Sequence, residues 1–501
     1  MQLPASEQLK TESGDEPVRK HHSTTAEYDF MVVSNRLPVD RCSTSERNGG
    51  NSEGWRRSPG GLVTALAPMM TKTDGAWVGW HGAPDETVRP FSHDGMDLVP
   101  VQLSTDDVEL YYEGFSNATL WPLYHDVIAP PEFHRTWWDS YRNVNRKFAD
   151  AVVRYAAEGA TIWVQDYQLQ LVPRMLREAR PDLKVGFFNH IPFPPPEIFA
   201  QLPWRQAIIE GLLGSDLVGF QRPSDAANFM RSARRFAGAT VKQQQIHVKG
   251  QDGHVIHVAR ARAFPISIDV AQISDLASKP EIIERARQIR QDLGNPKTIL
   301  LGVDRLDYTK GIGHRLKAYE ELLHDSSLKV EDATLIQVAS PSRERVEQYR
   351  LLREEVEGTV GHINGTYDTI QNTAVRYLHH SYPVEEMVAL YLAADVMLVT
   401  ALRDGMNLVA KEYVTARTDG SGALVLSEFA GAADQLKQAL LVNPHDIDGL
   451  KSAIMRAVNL PPKEASRRMK AMRKQILDHD VDHWSAEFLA ALGEKVVRDD
   501  S

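Results

Sequence analysis

The residues with chemistry to offer cluster just after apolar runs. Arg403-Asp404-Gly405-Met406-Asn407 follows the run Val396-Met397-Leu398-Val399-Thr400 and precedes a helical run from Leu408 to Ala416. A polar turn between a buried strand and a helix is the ligand crevice of a parallel α/β sheet. The first N–H groups of such a helix are also free to meet an anion. Asp304-Arg305-Leu306-Asp307-Tyr308-Thr309-Lys310-Gly311 repeats the pattern after Thr298-Ile299-Leu300-Leu301-Gly302-Val303, and Pro341-Ser342-Arg343 repeats it after the run from Ala333 to Val338. Arg305, Lys310, Arg343 and Arg403 therefore stand where strand meets loop. Guanidinium and ammonium groups in such places bind phosphate oxygens through charge-assisted hydrogen bonds. Solvated surface is the usual fate of Arg and Lys, but their repeated position beside Gly and Asp favours a site. Arg305 and Lys310, just before a glycine, fit a diphosphate clamp.

Two carboxylates accompany these cations. Asp404 in the turn can accept from sugar hydroxyls, and Glu412, within the following helix, can accept from the paired hydroxyls of a ribose. They make a poor glycosidase pair, because both come from one strand–helix unit with no second acid on a facing strand. Three patterns are decoys. Asp446-Ile447-Asp448 matches a metal-binding Asp-x-Asp but follows Asn443-Pro444, so it reads as a helix start. His379-His380 reads as adjacent positions on a helix, whose rings diverge. No G-x-G-x-x-G or G-x-x-x-x-G-K-[ST] occurs, so neither a dehydrogenase nor a P-loop enzyme is supported.

The first half of the chain carries its own set. Apolar runs from Asp29 to Ser34, Thr161 to Val164, Val185 to Phe188 and Leu217 to Phe220 lead to Arg36, Asp166, His190 and Gln221. Four parallel strands would bring these side chains to one carboxyl edge. His190 lies at a strand end inside a proline-rich turn, which favours ligand contact over a core role. Ser58-Pro59-Gly60-Gly61 precedes a helical run from Leu62 to Met70, and Gly60 and Gly61 let backbone approach a phosphate closely. A Gly-Gly pair is by itself more often a plain turn. Trp77, Trp80, Tyr111, Tyr112, Phe115, Trp121, Tyr124, Trp137 and Trp138 crowd one stretch, mainly as core and interface packing.

These elements imply at least two domains in 501 residues. Strands alternating with helices imply two doubly wound units. The expected division is a disordered tail over 1–26, an N-terminal Rossmann-like domain over 27–264, a second over 265–460, and C-terminal helices over 461–501 that Trp484 and Phe488 anchor to the body. The segment from His247 to Val258 has hairpin character. Composition is that of a soluble globular protein, with 42% hydrophobic and 25% charged residues. A formal net charge of −10 argues against nucleic acid or an anionic membrane as a global partner. The single cysteine, Cys42, excludes an internal disulfide and a cysteine metal site. With no secretory h-region and no run of 18 apolar residues, a cytoplasmic enzyme is expected.

Taken together, several motifs resemble the trehalose-6-phosphate synthase family. They are Val33-Ser34-Asn35-Arg36-Leu37-Pro38, Ser58-Pro59-Gly60-Gly61-Leu62, Phe115-Ser116-Asn117-Ala118-Thr119-Leu120-Trp121-Pro122, His190-Ile191-Pro192-Phe193-Pro194, the Asp304 to Gly311 stretch and the Arg403 to Glu412 stretch. The resemblance runs from about residue 29 to about 490. It implies a GT-B fold, two Rossmann-like domains with the active site in the cleft between them. It also implies metal-independent, cofactor-free, retaining transfer of glucose from a nucleoside-diphosphate glucose to glucose 6-phosphate. By motif matching, Arg36, Trp80, Tyr112, Trp121, Asp166 and Arg343 would hold glucose 6-phosphate. Gly60, Gly61, His190, Arg305, Lys310, Tyr382, Asp404, Gly405, Met406, Asn407, Leu408, Val409 and Glu412 would hold the donor. His190, Asp404, Arg305 and Lys310 would carry the catalysis, and a homo-oligomer (dimer or tetramer) fits the family habit.

Two rivals stand beside this reading. A sister transferase of the same fold would take another phosphorylated acceptor, such as a glycerol or cyclitol phosphate. A non-catalytic sugar-phosphate sensor would be expected to lack Arg305, Lys310, His190 or Glu412, and all four are present. The base of the donor has no fixed residue code.

Overall fold

The computed structural model describes residues 27–41, 54–58, 61–71, 74–250 and 252–494. Tail 1–26 and most of the polar loop before Ser58 lie outside the described residues. Two sheets organise the rest. The first has ten strands, and its middle is parallel in the order Val255–Ala263, Leu217–Phe220, Lys184–Asn189, Ala156–Gln165, Tyr28–Arg36, Ala76–Trp80, Met96–Pro100. Chain order reverses between Tyr28–Arg36 and Ala156–Gln165, and the crevice of a doubly wound sheet opens at such a reversal. The segment read as a hairpin pairs Gln245–Lys249 with Val255–Ala263 antiparallel, and the second strand then lies parallel to Leu217–Phe220.

The second sheet is wholly parallel, in the order Val375–Leu378, Ala333–Ser340, Thr298–Arg305, Val396–Val399, Ala423–Ser427, Leu440–Val442. Numbered along the chain this is 3-2-1-4-5-6, the doubly wound nucleotide-binding order. Its reversal lies between Thr298–Arg305 and Val396–Val399. Arg305 ends the first of these strands, and the loops that leave the two carry Lys310 and Asp404. Both strands are buried on both faces except for Arg305, as expected for a parallel sheet covered by helices.

Two expectations need correction. His379 and His380 are not on a helix; they follow the strand Val375–Leu378, which pairs with Leu335 to Val338. The β-branched and aromatic residues Val375 and Tyr377 favour that extended backbone. Helix Pro280–Asp292 starts at a proline that suits a first helical turn. Ala76–Trp80 and Met96–Pro100 are full strands within the stretch read only as aromatic-rich.

The chain ends on two helices, Pro462–Asp478 and Val481–Gly493. The second packs on the first sheet. Phe488 stacks on Trp163 at 4.7 Å, and Trp484 Nε1 donates to the Phe264 carbonyl at 3.2 Å. Glycines make room for it: a Cβ on Gly219 or Gly186 would lie 2.7 or 2.9 Å from the Phe488 ring.

Candidate active site

Four adjacent parallel strands of the first sheet deliver Gln221, His190, Asp166 and Arg36 in a row. Asp166 turns out of its strand at φ +74 and accepts the His190 main-chain N–H on Oδ1 at 3.1 Å. Burial pushes the Asp166 carboxyl up to about 6, against the pull of the Tyr167 and His190 amides and of Arg343 and Arg305. Both nitrogens of His190 face glutamines: Nε2 lies 2.8 Å from Gln165 Oε1, and Nδ1 lies 3.5 Å from Gln221 Nε2. Burial lowers His190 to about 3, so the ring is neutral. Arg36 Nη2 donates to Asp40 Oδ1 at 2.6 Å, and its guanidinium lies 5.0 Å from the centre of the Trp80 ring.

From the second sheet, Lys310 Nζ donates to Asp404 Oδ2 at 2.6 Å. Asn407 adopts φ +76, donates to the same oxygen at 3.2 Å, and caps the helix Leu408–Ala416 by accepting from the Ala410 N–H at 3.1 Å. Burial alone would raise Asp404, but Lys310 and Asn407 hold it below the usual carboxylate range. Glu412 lies one turn into this helix. Burial raises its pKa, and it accepts from Tyr391 Oη at 2.7 Å.

The two carboxyl edges meet. A Cβ on Gly405 would lie 2.3 Å from the His190 carbonyl oxygen, so the Asp404 turn abuts the His190 strand end at a point where only glycine fits. Arg343 reaches across to donate to Tyr167 Oη at 3.0 Å, and its guanidinium lies 3.7 Å from the centre of the Trp121 ring. The Arg305 guanidinium lies 5.2 Å from the same ring. Tyr112 is half-buried and near enough to Arg343 and Tyr167 to act on their ionisation. It belongs to a helix, Val108–Leu120, wound with i→i+5 turns, a form found often at functional sites.

Arg403 differs from its expected place among the phosphate-facing cations. It spans to the first sheet, 3.2 Å from Asp126 and 3.7 Å from the buried Asp225 on helix Pro223–Phe236. Arg222 and Asp434 form a second, two-pronged ion pair between the halves, with both bonds at 2.8 Å. Tyr382 follows the outer strand Val375–Leu378, and its hydroxyl lies 2.6 Å from His380 Nε2. Gly60 lies outside the described residues, and Gly61 opens helix Gly61–Met70. Asp446 caps its helix by accepting from the Gly449 N–H at 2.9 Å. Among the described residues no group of three or more His, Cys, Asp or Glu could hold a metal ion.

Asp307 is the main group that the sequence left without a role. Burial would raise it, but Arg343, Arg305 and Lys310 hold it at about 2. It also accepts from Tyr349 Oη at 3.1 Å. The signal was an acid between two bases in Arg305-Leu306-Asp307-Tyr308-Thr309-Lys310.

Two doubly wound sheets meeting at their carboxyl edges, with cations and a capped helix on one side and aromatics and Asp166 on the other, define a GT-B glycosyltransferase. The model of glycosyltransferase family 20 matches residues 28–494, and the chain belongs to that family. The trehalose-6-phosphate synthase of Mycolicibacterium smegmatis is 57% identical over 479 residues, covering 95% of this chain and 94% of its own. A solved E. coli structure, described as bound with UDP-2-fluoro glucose, matches with a TM-score of 0.84 and 33% identity, covering 94% of this chain and all (100%) of that one. An alpha,alpha-trehalose-phosphate synthase (UDP-forming) from Burkholderia xenovorans, in complex with glucose-6-phosphate, matches with a TM-score of 0.83 and 33% identity over 93% and 100% of the two chains.

Proposed function

We propose that this chain transfers glucose, with retention of configuration, from a nucleoside-diphosphate glucose to glucose 6-phosphate, giving α,α-trehalose 6-phosphate. The observation that carries the reading is the meeting of the two edges. It places the Lys310–Asp404 pair, the capped helix and Arg343 opposite Trp121 and Asp166. Relatives support both substrates: the E. coli structure is described as holding a UDP-sugar analogue, and the Burkholderia structure glucose-6-phosphate.

In this reading the Arg305 and Lys310 cations and the N–H groups after Asn407 take the diphosphate. They neutralise it as the glycosidic bond breaks and negative charge moves onto the leaving oxygen. Asp404 accepts from the transferred glucose and Glu412 from the ribose, with Gly405 to Val409 lining the donor and Gly60, Gly61 and Tyr382 completing its site. Arg36, Tyr112 and Arg343 hold the acceptor's phosphate, and Trp80, Trp121 and Asp166 hold its sugar. His190 is a neutral contact to the donor glucose. A ring held near 3 is a poor base at neutral pH. The acceptor's proton instead leaves with the departing phosphate on the same face, which retains configuration. The protein's own cations do the electrophilic work, so activity is independent of a metal and survives a chelator.

The domain units 27–264 and 265–460, a homo-oligomeric state (dimer or tetramer) and a cytoplasmic site of action belong to the same proposal. Among the described residues no helix is long and apolar enough to cross a membrane. One assay tests the core claim: purified protein with glucose 6-phosphate and UDP-, ADP- or GDP-glucose in parallel, the product identified by mass and by trehalase after dephosphorylation. Product with at least one donor is expected; none with any would overturn the reading.

A further inference from the structure

Strands Lys184–Asn189 and Leu217–Phe220 pair in parallel with Asn189 opposite Phe220, so His190 and Gln221 leave the sheet side by side. Gln221 is buried. The Ile266 N–H donates to its Oε1 at 2.9 Å. A peptide N–H can only donate, so this bond decides which end of the Gln221 amide is oxygen. The NH2 end then faces His190 Nδ1, and an NH2 also only donates. Nδ1 therefore keeps its lone pair, and a neutral ring must carry its proton on Nε2, aimed at Gln165 Oε1. The same residue is gripped on its other side: the Ile266 carbonyl, in the next peptide unit, accepts from Lys411 Nζ at 2.6 Å. Lys411 is buried and precedes Glu412 on the helix Leu408–Ala416. Contacts thus lead from that helix, through the backbone of Ile266 in the segment joining the two sheets, to the ring of His190.

We propose that Gln221 is a positioning residue that fixes His190 as the Nε2–H tautomer, and that Lys411 holds the connecting peptide where Gln221 requires it. The inference rests on the proposed role of His190 as a contact to the donor sugar. An oxygen reaching the Nε2 edge meets an N–H, and never a lone pair. The remaining ring neighbours are aromatic, Phe188 at 4.6 Å and Trp484 at 6.1 Å. The titratable groups of the surrounding elements are Asp166, which accepts from the His190 main chain, Lys411 behind Ile266, and Asp404 and Lys310 beyond Gly405.

Nitrogen NMR of the histidine-labelled full chain reads the tautomer without turnover, with His190 assigned by its loss in His190→Gln. The expected signature is an unprotonated Nδ1 and a protonated Nε2 that hold across the neutral pH range. Gln221→Glu keeps an acceptor for the Ile266 N–H but turns a second acceptor against Nδ1. It should move the proton to Nδ1 or charge the ring, lower kcat on the order of tenfold or more, change donor KM far less, and alter the pH profile of kcat from the parent's. Gln221→Leu and Lys411→Met should produce mixed tautomers and smaller losses. A protonated Nδ1 in the parent overturns the proposal whether or not any variant folds. So does a Gln221→Glu protein whose tautomer and pH profile match the parent's while its activity falls no further than that of Gln221→Leu. Absence of product from the parent with every donor would instead sink the proposed function and leave the tautomer to the spectrum.

Discussion

Lys310 Nζ and Asp404 Oδ2 lie 2.6 Å apart, each largely buried, at the loops that leave the two strands of the second sheet's reversal point. Removing one partner of a buried pair leaves an uncompensated charge, which costs about 3–5 kcal/mol, whereas replacing both can be neutral. Lys310→Met alone is therefore expected to lower the melting temperature and abolish most turnover. The double variant Lys310→Met/Asp404→Asn should regain much of the stability and none of the activity. Thermal unfolding and initial rates separate the two effects. Recovery of activity in the double variant would show that the pair is only structural.

Asp225 offers a pH test with a definite sign. It is fully buried, and burial pushes it up to about 6 despite Arg403, the Phe193 amide and Arg222, with Asp126 adding to the rise. An unfolded aspartate titrates near ~3.9, so between there and about 6 the folded state binds the proton more tightly. Asp225 therefore favours folding as pH falls through that window. The buried neutral rings of His190 and His125, both held near 3, act oppositely, because the unfolded chain gains their protons below about 6.5. Asp225→Asn removes one opposing contribution. Its stability should fall more steeply than the parent's between pH 6 and pH 4, by up to about 1.4 kcal/mol per pH unit. Denaturant midpoints across that range measure the difference, and parallel curves would refute the raised pKa.

Gly405→Ala places a methyl 2.3 Å from the His190 carbonyl oxygen, a backbone atom that cannot swing away. Overpacking of this kind costs about 1–3 kcal/mol. Here it also pushes the Asp404 turn off the first sheet and strains the reach of Arg403 to Asp126 and Asp225. The expected result is a kcat loss larger than the loss of stability. Unchanged kcat with an intact melting curve would mean that the two edges need not touch during turnover.

Much of this site is legible in the sequence because its parts are local. Arg305, Lys310, Asp404 and Glu412 each follow a short apolar strand, and the strand–turn–helix pattern needs no knowledge of the rest of the chain. What was not legible depends on pairing distant segments. Arg403 looks like its neighbouring cations, yet its partners Asp126 and Asp225 lie far back in the chain, and nothing in the sequence ties them to it. Asp307 gains its role only when Arg343 arrives from the next strand. Ala76–Trp80 has all five residues buried, so it lacks the alternation that marks a half-exposed strand. His379 and His380 were misplaced because a short apolar run beside them fits helix and strand alike.

The C-terminal helix ties this architecture to the chemistry through Gly219. An alanine there would set its Cβ 2.7 Å from both the Phe188 and Phe488 rings. Phe488→Ala alone should cost about 3–5 kcal/mol, as for a large buried ring. It should also lower kcat, because the helix covers the strands from which His190 and Gln221 emerge. The decisive comparison is a double-mutant cycle. In the Phe488→Ala background the cost of Gly219→Ala should shrink, since one of the two clashing rings is gone, while the clash with Phe188 keeps it above zero. Equal costs in both backgrounds, measured by denaturant unfolding, would mean that Gly219 makes room for Phe188 alone and that the helix is not seated against that strand.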